Sequence, residues 1–260
     1  MDKSTPSKRT EAMQQILYAI GDIHGDFDKM LSIIGRIDQD VMDHKPENHH
    51  VICVGDLVDR REKSKDVIDY LIKQQTLGAP ITILKGNHDR MFSLFFDDPH
   101  TQDRKLRSDL TWLNPRLGGL MTLASYGVDI IRDQDPVRLH KEACQKVPAQ
   151  HRAFLENLPS FYETEAYFFT HAGINPMLPL DQQTEDDLLW IRAPFHEHSG
   201  MFEKIIVHGH TPVEQVTHYG NRINIDTGAA YGDALSVIAI DGSDIFELTA
   251  TGRKPLQVNA

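Results

Sequence analysis

The stretch Val51-Ile52-Cys53-Val54-Gly55-Asp56-Leu57-Val58-Asp59-Arg60 decides the fold: a short apolar run, cut by Gly-Asp, then a cluster of ionisable side chains. So short a run, rich in β-branched residues and ended by glycine, reads as a buried strand. The same phrase recurs on both sides. Ile16 to Ile20 stops at Gly21-Asp22, and Pro80 to Leu84 stops ahead of Gly86-Asn87. Two helical patterns lie between: Phe27, Met30, Leu31, Ile34 and Ile37, then Val67, Ile68, Leu71 and Ile72 within Ser64 to Gln75. Residues 38–50 are polar and read as a loop. Three strand–helix units predict a parallel sheet with right-handed crossovers. The glycines and polar residues fall after the carboxyl ends of the strands, where an open α/β sheet places its ligands.

Residues 92–159 mix aromatics, charges and short helical patterns, and read as a mostly helical insertion able to wall or lid a site. Strand-like runs return at Ala166–Thr170, Lys204–Val207, Val213–Thr217, Ile223–Ile225, Leu235–Ile240 and Phe246–Leu248. Their short spacing predicts an antiparallel or mixed sheet stacked on the first. The expected organisation is a flexible arm over residues 1–15, one domain over 16–250 and a fraying C-terminal tail over 251–260.

Composition narrows the function classes. Among 260 residues, 27 basic against 38 acidic side chains leave a net charge of −11. That argues against a nucleic-acid partner and against polybasic membrane anchoring. No apolar run is long enough to span a membrane, and residues 1–15 lack the hydrophobic region of a signal peptide, so a cytoplasmic protein is expected. The two cysteines have no framework spacing, and Cys53 reads as a small buried hydrophobe.

The polar residues directly after the apolar runs are Asp22 and His24; Asp56, Asp59 and Arg60; Asn87, His88 and Asp89; His171; and His208 and His210. Carboxylate, imidazole and carboxamide donors without a thiolate suit Mn, Fe or Zn. Asp22 and His24 stand two apart, so extended backbone aims both the same way. The two oxygens of Asp56 can bridge two ions. The candidates exceed the needs of one ion, and a pair about 3.5–4 Å apart is the usual device for in-line displacement at phosphorus. The remaining histidines (His44, His49, His50, His100, His140, His151, His196, His198 and His218) read as ordinary solvated residues, with His196 and His198 as conceivable substrate contacts.

Five blocks in order carry a resemblance: Gly21-Asp22-Ile23-His24-Gly25, Gly55-Asp56-Leu57-Val58-Asp59-Arg60, Gly86-Asn87-His88-Asp89, His171-Ala172-Gly173 and Gly209-His210-Thr211. Over residues 16–240 the chain resembles the PPP-type Ser/Thr phosphatases, in the bacterial and phage-like branch of the calcineurin-like metallophosphoesterases. The resemblance implies an α/β fold, a β-sandwich of two mixed sheets flanked by helices in four α/β/β/α layers. It implies two divalent ions, Mn2+ by family habit with Fe or Zn as alternatives. Asp22, His24 and Asp56 would hold one, and Asp56, Asn87, His171 and His210 the other. His88 would be the general acid, oriented by Asp59, with Arg60 and Arg192 clamping phosphate. His208 would make a hydrogen bond behind the ligands.

The expected activity is hydrolysis of phosphate monoesters by a metal-bridging hydroxide, on phosphoserine or phosphothreonine proteins, on phosphotyrosine, or on small phosphomonoesters. The alternative is a dinucleoside polyphosphate hydrolase. Among close relatives, symmetrical dinucleoside tetraphosphate hydrolases usually carry Gln where His24 stands, so His24 favours the phosphatase branch. Two departures bear on substrate: Arg61 stands where many phosphatases have Gly, and Asp89 where eukaryotic members have Glu. Arg61 either reaches the pocket rim or faces solvent.

Overall fold

Strands β1 (Gln15–Ile20), β2 (Asn48–Cys53) and β3 (Ile81–Ile83) pair in parallel in the computed structural model, which describes residues 15–259. The expected N-terminal arm lies outside the described residues except for Gln15. Helices α1 (Phe27–His44) and α2 (Ser64–Thr76) make the crossovers. Strand alternation sorts β1 between two cores. Ile16, Tyr18 and Ile20 pack with Met30, Ile33, Val67 and Leu71 of the helices. Leu17 and Ala19 face the other way, with Phe169, Val207 and Ile223 of a second sheet.

That second sheet comprises β4 (Phe161–Glu163), β5 (Tyr167–Thr170), β6 (Ile205–His208), β7 (Thr217–His218) and β8 (Arg222–Asn224). Its order is β4-β5-β6-β8-β7, with β5, β6 and β8 parallel and the edge strands antiparallel. The last strands, β9 (Val237–Asp241), β10 (Asp244–Thr249) and β11 (Gly252–Pro255), return to the first sheet. It then runs β11-β10-β9-β1-β2-β3, with β9 antiparallel to β1. Four further helices, α3 (Asn87–Asp97), α4 (Gly119–Ser125), α5 (Pro136–Lys146) and α6 (Ala149–Glu156), pack on its outer side through Phe92, Leu123, Leu139 and Leu155. Short helices α7 (Glu185–Trp190) and α8 (Ala193–His196) cover the outer face of the second sheet through Leu188 and Phe195 against Phe168 and Ile206. The result is the four-layer α/β/β/α sandwich of two mixed sheets.

Several local expectations are corrected. Residues 38–50 are not a loop: α1 continues to His44 and stops at Lys45, whose φ of 47° is left-handed, and β2 begins at Asn48. The polarity misleads because Asp40 is buried, bonded to Tyr18 Oη and to Arg253. Arg253 belongs to β11, so residues 252–255 of the expected fraying tail are a paired strand. The run Val213–Thr217 contributes only Thr217 to β7. Among the histidines taken as solvated, His151 and His218 are buried. The ring nitrogens of His151 meet Tyr126 Oη and Asp69, and Nδ1 of His218 accepts the Gly220 N–H. No helix among the described residues is long and apolar enough to cross a membrane.

Candidate active site

The loops after β1, β2, β3, β5 and β6 deliver Asp22, Asp56, Asn87, His171 and His210 to one end of the two sheets. The backbone there is forced. Six non-glycine residues among those described have positive φ, and five are site candidates: His24 (48°), Asp56 (50°), Asp59 (76°), Arg60 (69°) and His210 (67°). Left-handed backbone at such residues costs on the order of 1 kcal/mol each and persists only where its surroundings impose it. Glycines permit the close approach. A Cβ on Gly86 would lie 2.1 Å from Asp56 Oδ1, and one on Gly209 would lie 2.0 Å from Asp22 Oδ1.

Asp56 is the hub. Its Oδ2 is 3.3 Å from His24 Nε2 and its Oδ1 is 3.4 Å from His171 Nε2. Backbone carbonyls fix both imidazole tautomers. His24 Nδ1 donates to Val58 O and His171 Nδ1 donates to Val54 O, each at 3.0 Å, because a carbonyl can only accept. Burial lowers the pKa of both rings, that of His24 strongly, so both are neutral. Each Nε2 therefore presents a lone pair to a carboxylate oxygen. Asn87 Oδ1 joins the second group, 2.9 Å from His171 Nε2 and 2.8 Å from His210 Nδ1. The buried Nε2 of His210 has no partner at all. Acceptor facing acceptor in a buried site is unfavourable. A divalent cation in each group reconciles them, so these residues fit a pair of ions sharing Asp56. Ligand atoms converge in two groups, His24 with Asp56 and His88, and Asp56 with His171 and His210. Together they form a binuclear His/Asp metal-binding site.

The other carboxylates sharpen that reading. Burial resists charge on Asp56, but in acid, where the surrounding imidazoles take up protons, their charge outweighs it and holds Asp56 below the usual carboxylate range. Burial, then Asp226 and Asp56, push Asp22 far upward. Asp226 is pushed up to about 6, mainly by burial. Such a concentration of buried acid calls for positive charge. Asp22 lies outside the two converging groups: its oxygens accept the His210 N–H at 3.0 and 3.3 Å.

His88 donates from Nδ1 to Asp59 Oδ2 at 2.7 Å, while Arg60 Nη2 lies 3.5 Å from its Nε2. Burial lowers the His88 pKa, but Asp56 and Asp59 outweigh it and the net shift is upward. Asp59 is fully buried and also accepts from Trp112 Nε1 at 2.8 Å and Thr122 Oγ1 at 2.7 Å. The segment 92–159 thus supplies the groups that fix Asp59. Asp89 holds the loops together: its oxygens accept the N–H groups of Leu57 and Gly86.

A cavity of about 130 Å3 opens onto this end, lined by His24, Asp56, Asn87, His88 and His210 with Arg60, Arg192, Trp190, Asp226 and Tyr231. Arg61 turns away from it, donating to Ala229 O at 3.4 Å, 4.0 Å from Asp26. His208 is buried behind the ligands, accepting from Arg222 Nη1 at 3.2 Å, with His196 stacked beside it. Neither it, His196 nor His198 lines the cavity. Sequence reasoning missed Asp226, Trp112, Thr122 and Tyr231. Asp226 follows the run Ile223–Ile225 just as Asp22 follows Ile20, so the rule that found the others also covers it. The other three have no local signal.

The family profile for calcineurin-like phosphoesterases matches residues 17–238. The chain belongs to that family. Metal-dependent phosphoesterase chemistry is therefore its activity class. A full-length relative is the asymmetrical bis(5'-nucleosyl)-tetraphosphatase of Bacillus velezensis, 24% identical over 223 residues, covering 84% of this chain and 86% of the relative. Solved structures at TM-score 0.60 include one provisionally described as a diadenosine tetraphosphatase (18% identical, 96% of each chain) and a cold-active protein-tyrosine phosphatase from a Shewanella species (14% identical, 93% of this chain and 80% of that one). These two share the fold equally and do not separate substrates. The full-length sequence relatives are asymmetrical bis(5'-nucleosyl)-tetraphosphatases, and they overturn the placement in the PPP Ser/Thr phosphatase branch. The expectation drawn from His24 set the chain apart from symmetrical hydrolases alone, and the full-length relatives are asymmetrical ones.

Proposed function

We propose that the chain hydrolyses dinucleoside tetraphosphates, splitting the bridging phosphoanhydride asymmetrically into a nucleoside triphosphate and a nucleoside monophosphate. The observation that carries this reading is the end-to-end similarity to asymmetrical bis(5'-nucleosyl)-tetraphosphatases, with 84% of this chain aligned. In this reading His24 and Asp56 with Asp22 would hold one divalent ion, and Asp56, Asn87, His171 and His210 the other. Mn2+ is the expected ion, with Fe or Zn as alternatives. Bound there, the ions supply Lewis acidity to the phosphate oxygens and a lowered pKa to water.

The remaining steps belong to this chain's own residues. Arg60 and Arg192, planar forks at the cavity, grip the non-bridging oxygens of the scissile phosphate and offset charge as it builds there. His88, whose pKa is raised by Asp56 and Asp59 against the effect of burial, hands its Nε2 proton to the departing phosphate oxygen. Trp112 donates to the same Asp59 oxygen as His88 and Thr122 to the other, and together they fix its orientation.

The test is incubation with diadenosine tetraphosphate and Mn2+ after chelation, with products separated by anion exchange. ATP and AMP in equal amounts are expected. Two equivalents of ADP would contradict the asymmetrical assignment. Inertness towards the dinucleotide beside rapid release of phosphate from a phosphopeptide would overturn the reading.

A further inference from the structure

The loop after β8 reads Asp226-Thr227-Gly228-Ala229-Ala230-Tyr231-Gly232-Asp233, and its backbone is tied at several points. Gly228 (φ 78°) and Gly232 (φ 113°), both left-handed, bracket a single 3-10 turn over Ala229–Tyr231. The Asp226 carboxylate accepts the Gly228 N–H at 3.0 Å, and Thr227 Oγ1 donates to Ala234 O at 2.7 Å. Two cations from other elements clasp the crest: Lys29 Nζ and Arg61 Nη2 both donate to Ala229 O at 3.4 Å. This is where Arg61, the departure flagged in the sequence, spends its side chain.

All this structure presents one residue. Tyr231 lines the catalytic cavity yet is 63% exposed. The Arg60 guanidinium carbon sits 4.8 Å from its ring centroid. The cavity's other large aromatic, Trp190, is tethered through Nε1 to Asp103 and stands edge-on to His210. An aromatic ring left this open adds little to folding, since burial is what makes such rings stabilising. Held on a braced turn, it is pre-organised to receive a flat ligand at low entropic cost.

We propose that Tyr231 is a stacking platform for a nucleobase: a nucleotide whose phosphate is held at Arg60 lays its base on the open part of the tyrosine ring. The proposal rests on the dinucleoside-polyphosphatase reading and adds the group that recognises the nucleoside. The arrangement is economical, because one ring both covers the phosphate-gripping guanidinium and offers a π surface where a phosphate substituent emerges. Every base has such a surface, so selection is for an aromatic nucleoside, with little preference among bases. Arg61 and Lys29 act as positioning residues for the turn.

The test compares two competitive inhibitors of p-nitrophenyl phosphate turnover, ADP and inorganic pyrophosphate. They share the diphosphate and differ by the nucleoside. In Tyr231→Ala the inhibition constant of ADP is expected to rise roughly tenfold more than that of pyrophosphate, the size expected for one base stack. Tyr231→Phe, which keeps the ring, should restore ADP binding. If ADP and pyrophosphate weaken in parallel, Tyr231 only props Arg60 and the proposal fails. If neither weakens, it fails outright. Wild-type cleavage of diadenosine tetraphosphate is scored separately. A protein that loses ADP selectively in Tyr231→Ala but does not cleave the dinucleotide keeps the subsite and loses the broader reading.

Discussion

Two buried polar clusters sit in this molecule, similar in composition and opposite in character. One joins Asp40 of α1, Tyr18 of β1 and Arg253 of β11. Arg253 Nε and Nη2 donate to the two oxygens of Asp40, each at 2.8 Å, Nη1 donates to Asp241, and Tyr18 Oη donates to Asp40 at 2.7 Å. Each Arg253 nitrogen, each Asp40 oxygen and the Tyr18 hydroxyl has a partner there. The other cluster is centred on Asp56, where neutral imidazole lone pairs face carboxylate oxygens and His210 Nε2 has nothing. Its backbone is left-handed at five non-glycine residues, while α1 and the strands of the Asp40 cluster are regular. A satisfied polar cluster holds a fold together. An unsatisfied one, maintained against its own cost, marks where something else must bind.

The largest expected effect breaks the unsatisfied cluster. Chelation, or Asp56→Asn in the presence of metal, should lower hydrolysis by more than about 1,000-fold, since the bridge orders both ligand groups. Without metal, the same substitution should move the melting temperature little, because relief of a buried charge is offset by loss of its attraction to His88. Calorimetry of chelated parent and variant reads this directly. A variant melting well below the chelated parent would make the Asp56 cluster a structural network like that at Asp40, and the contrast would collapse.

The next effect separates members of the catalytic cluster. His88→Ala should cut turnover of alkyl phosphates by about 100- to 10,000-fold and cost far less on p-nitrophenyl phosphate, whose leaving group needs little protonation. Equal losses on both substrates would remove His88 as the acid. The pH profile carries the sign. The His88 pKa is raised, burial being outweighed by Asp56 and Asp59, so the proton is available at low pH and activity falls as pH rises through that pKa. Asp59→Asn removes part of what raises it, so the alkaline limb should move to lower pH. A limb that stays in place would show that Asp59 does not govern the proton.

Much of this was legible because the informative residues stand directly behind apolar runs. Ile20-Gly21-Asp22 and Val54-Gly55-Asp56 locate strand and ligand in the same few letters, and three such units already imply the parallel sheet. What stayed hidden is non-local. Nothing near Trp112 or Thr122 announces that they hold Asp59, 53 and 63 residues away. Asp40 looked like loop because its partner, Arg253, lies 213 residues further on. Substrate class was the least legible. The five motif blocks build the phosphate-handling centre, whereas the leaving group is met by rim residues such as Tyr231, which lies outside every block.

The smallest effect is on the satisfied cluster, and it should appear in stability alone. Arg253→Met leaves the Asp40 carboxylate buried with Tyr18 and, at 3.3 Å, the His44 ring as its remaining partners. Removing one member of such a pair costs about 3 kcal/mol, or roughly 6–12 °C in melting temperature for a domain of this size. Arg253 touches no residue of the catalytic cavity, so kcat/KM below the transition should stay within about twofold. Burial resists charge on Asp40, yet its bonds from Arg253 and Tyr18 hold its pKa below the usual carboxylate value. The contribution is therefore fully present above about pH 4 and is lost as pH falls through the lower, folded-state pKa. The melting deficit of Arg253→Met should accordingly narrow in acid. Adding Asp40→Asn to Arg253→Met should recover part of the loss, because no uncompensated charge remains buried. If the double variant were as unstable as the sum of the two singles, the ion pair would not be the source of the stability. The contrast between a cluster that folds the protein and a cluster that waits for its ions would then have to rest on the Asp56 side alone.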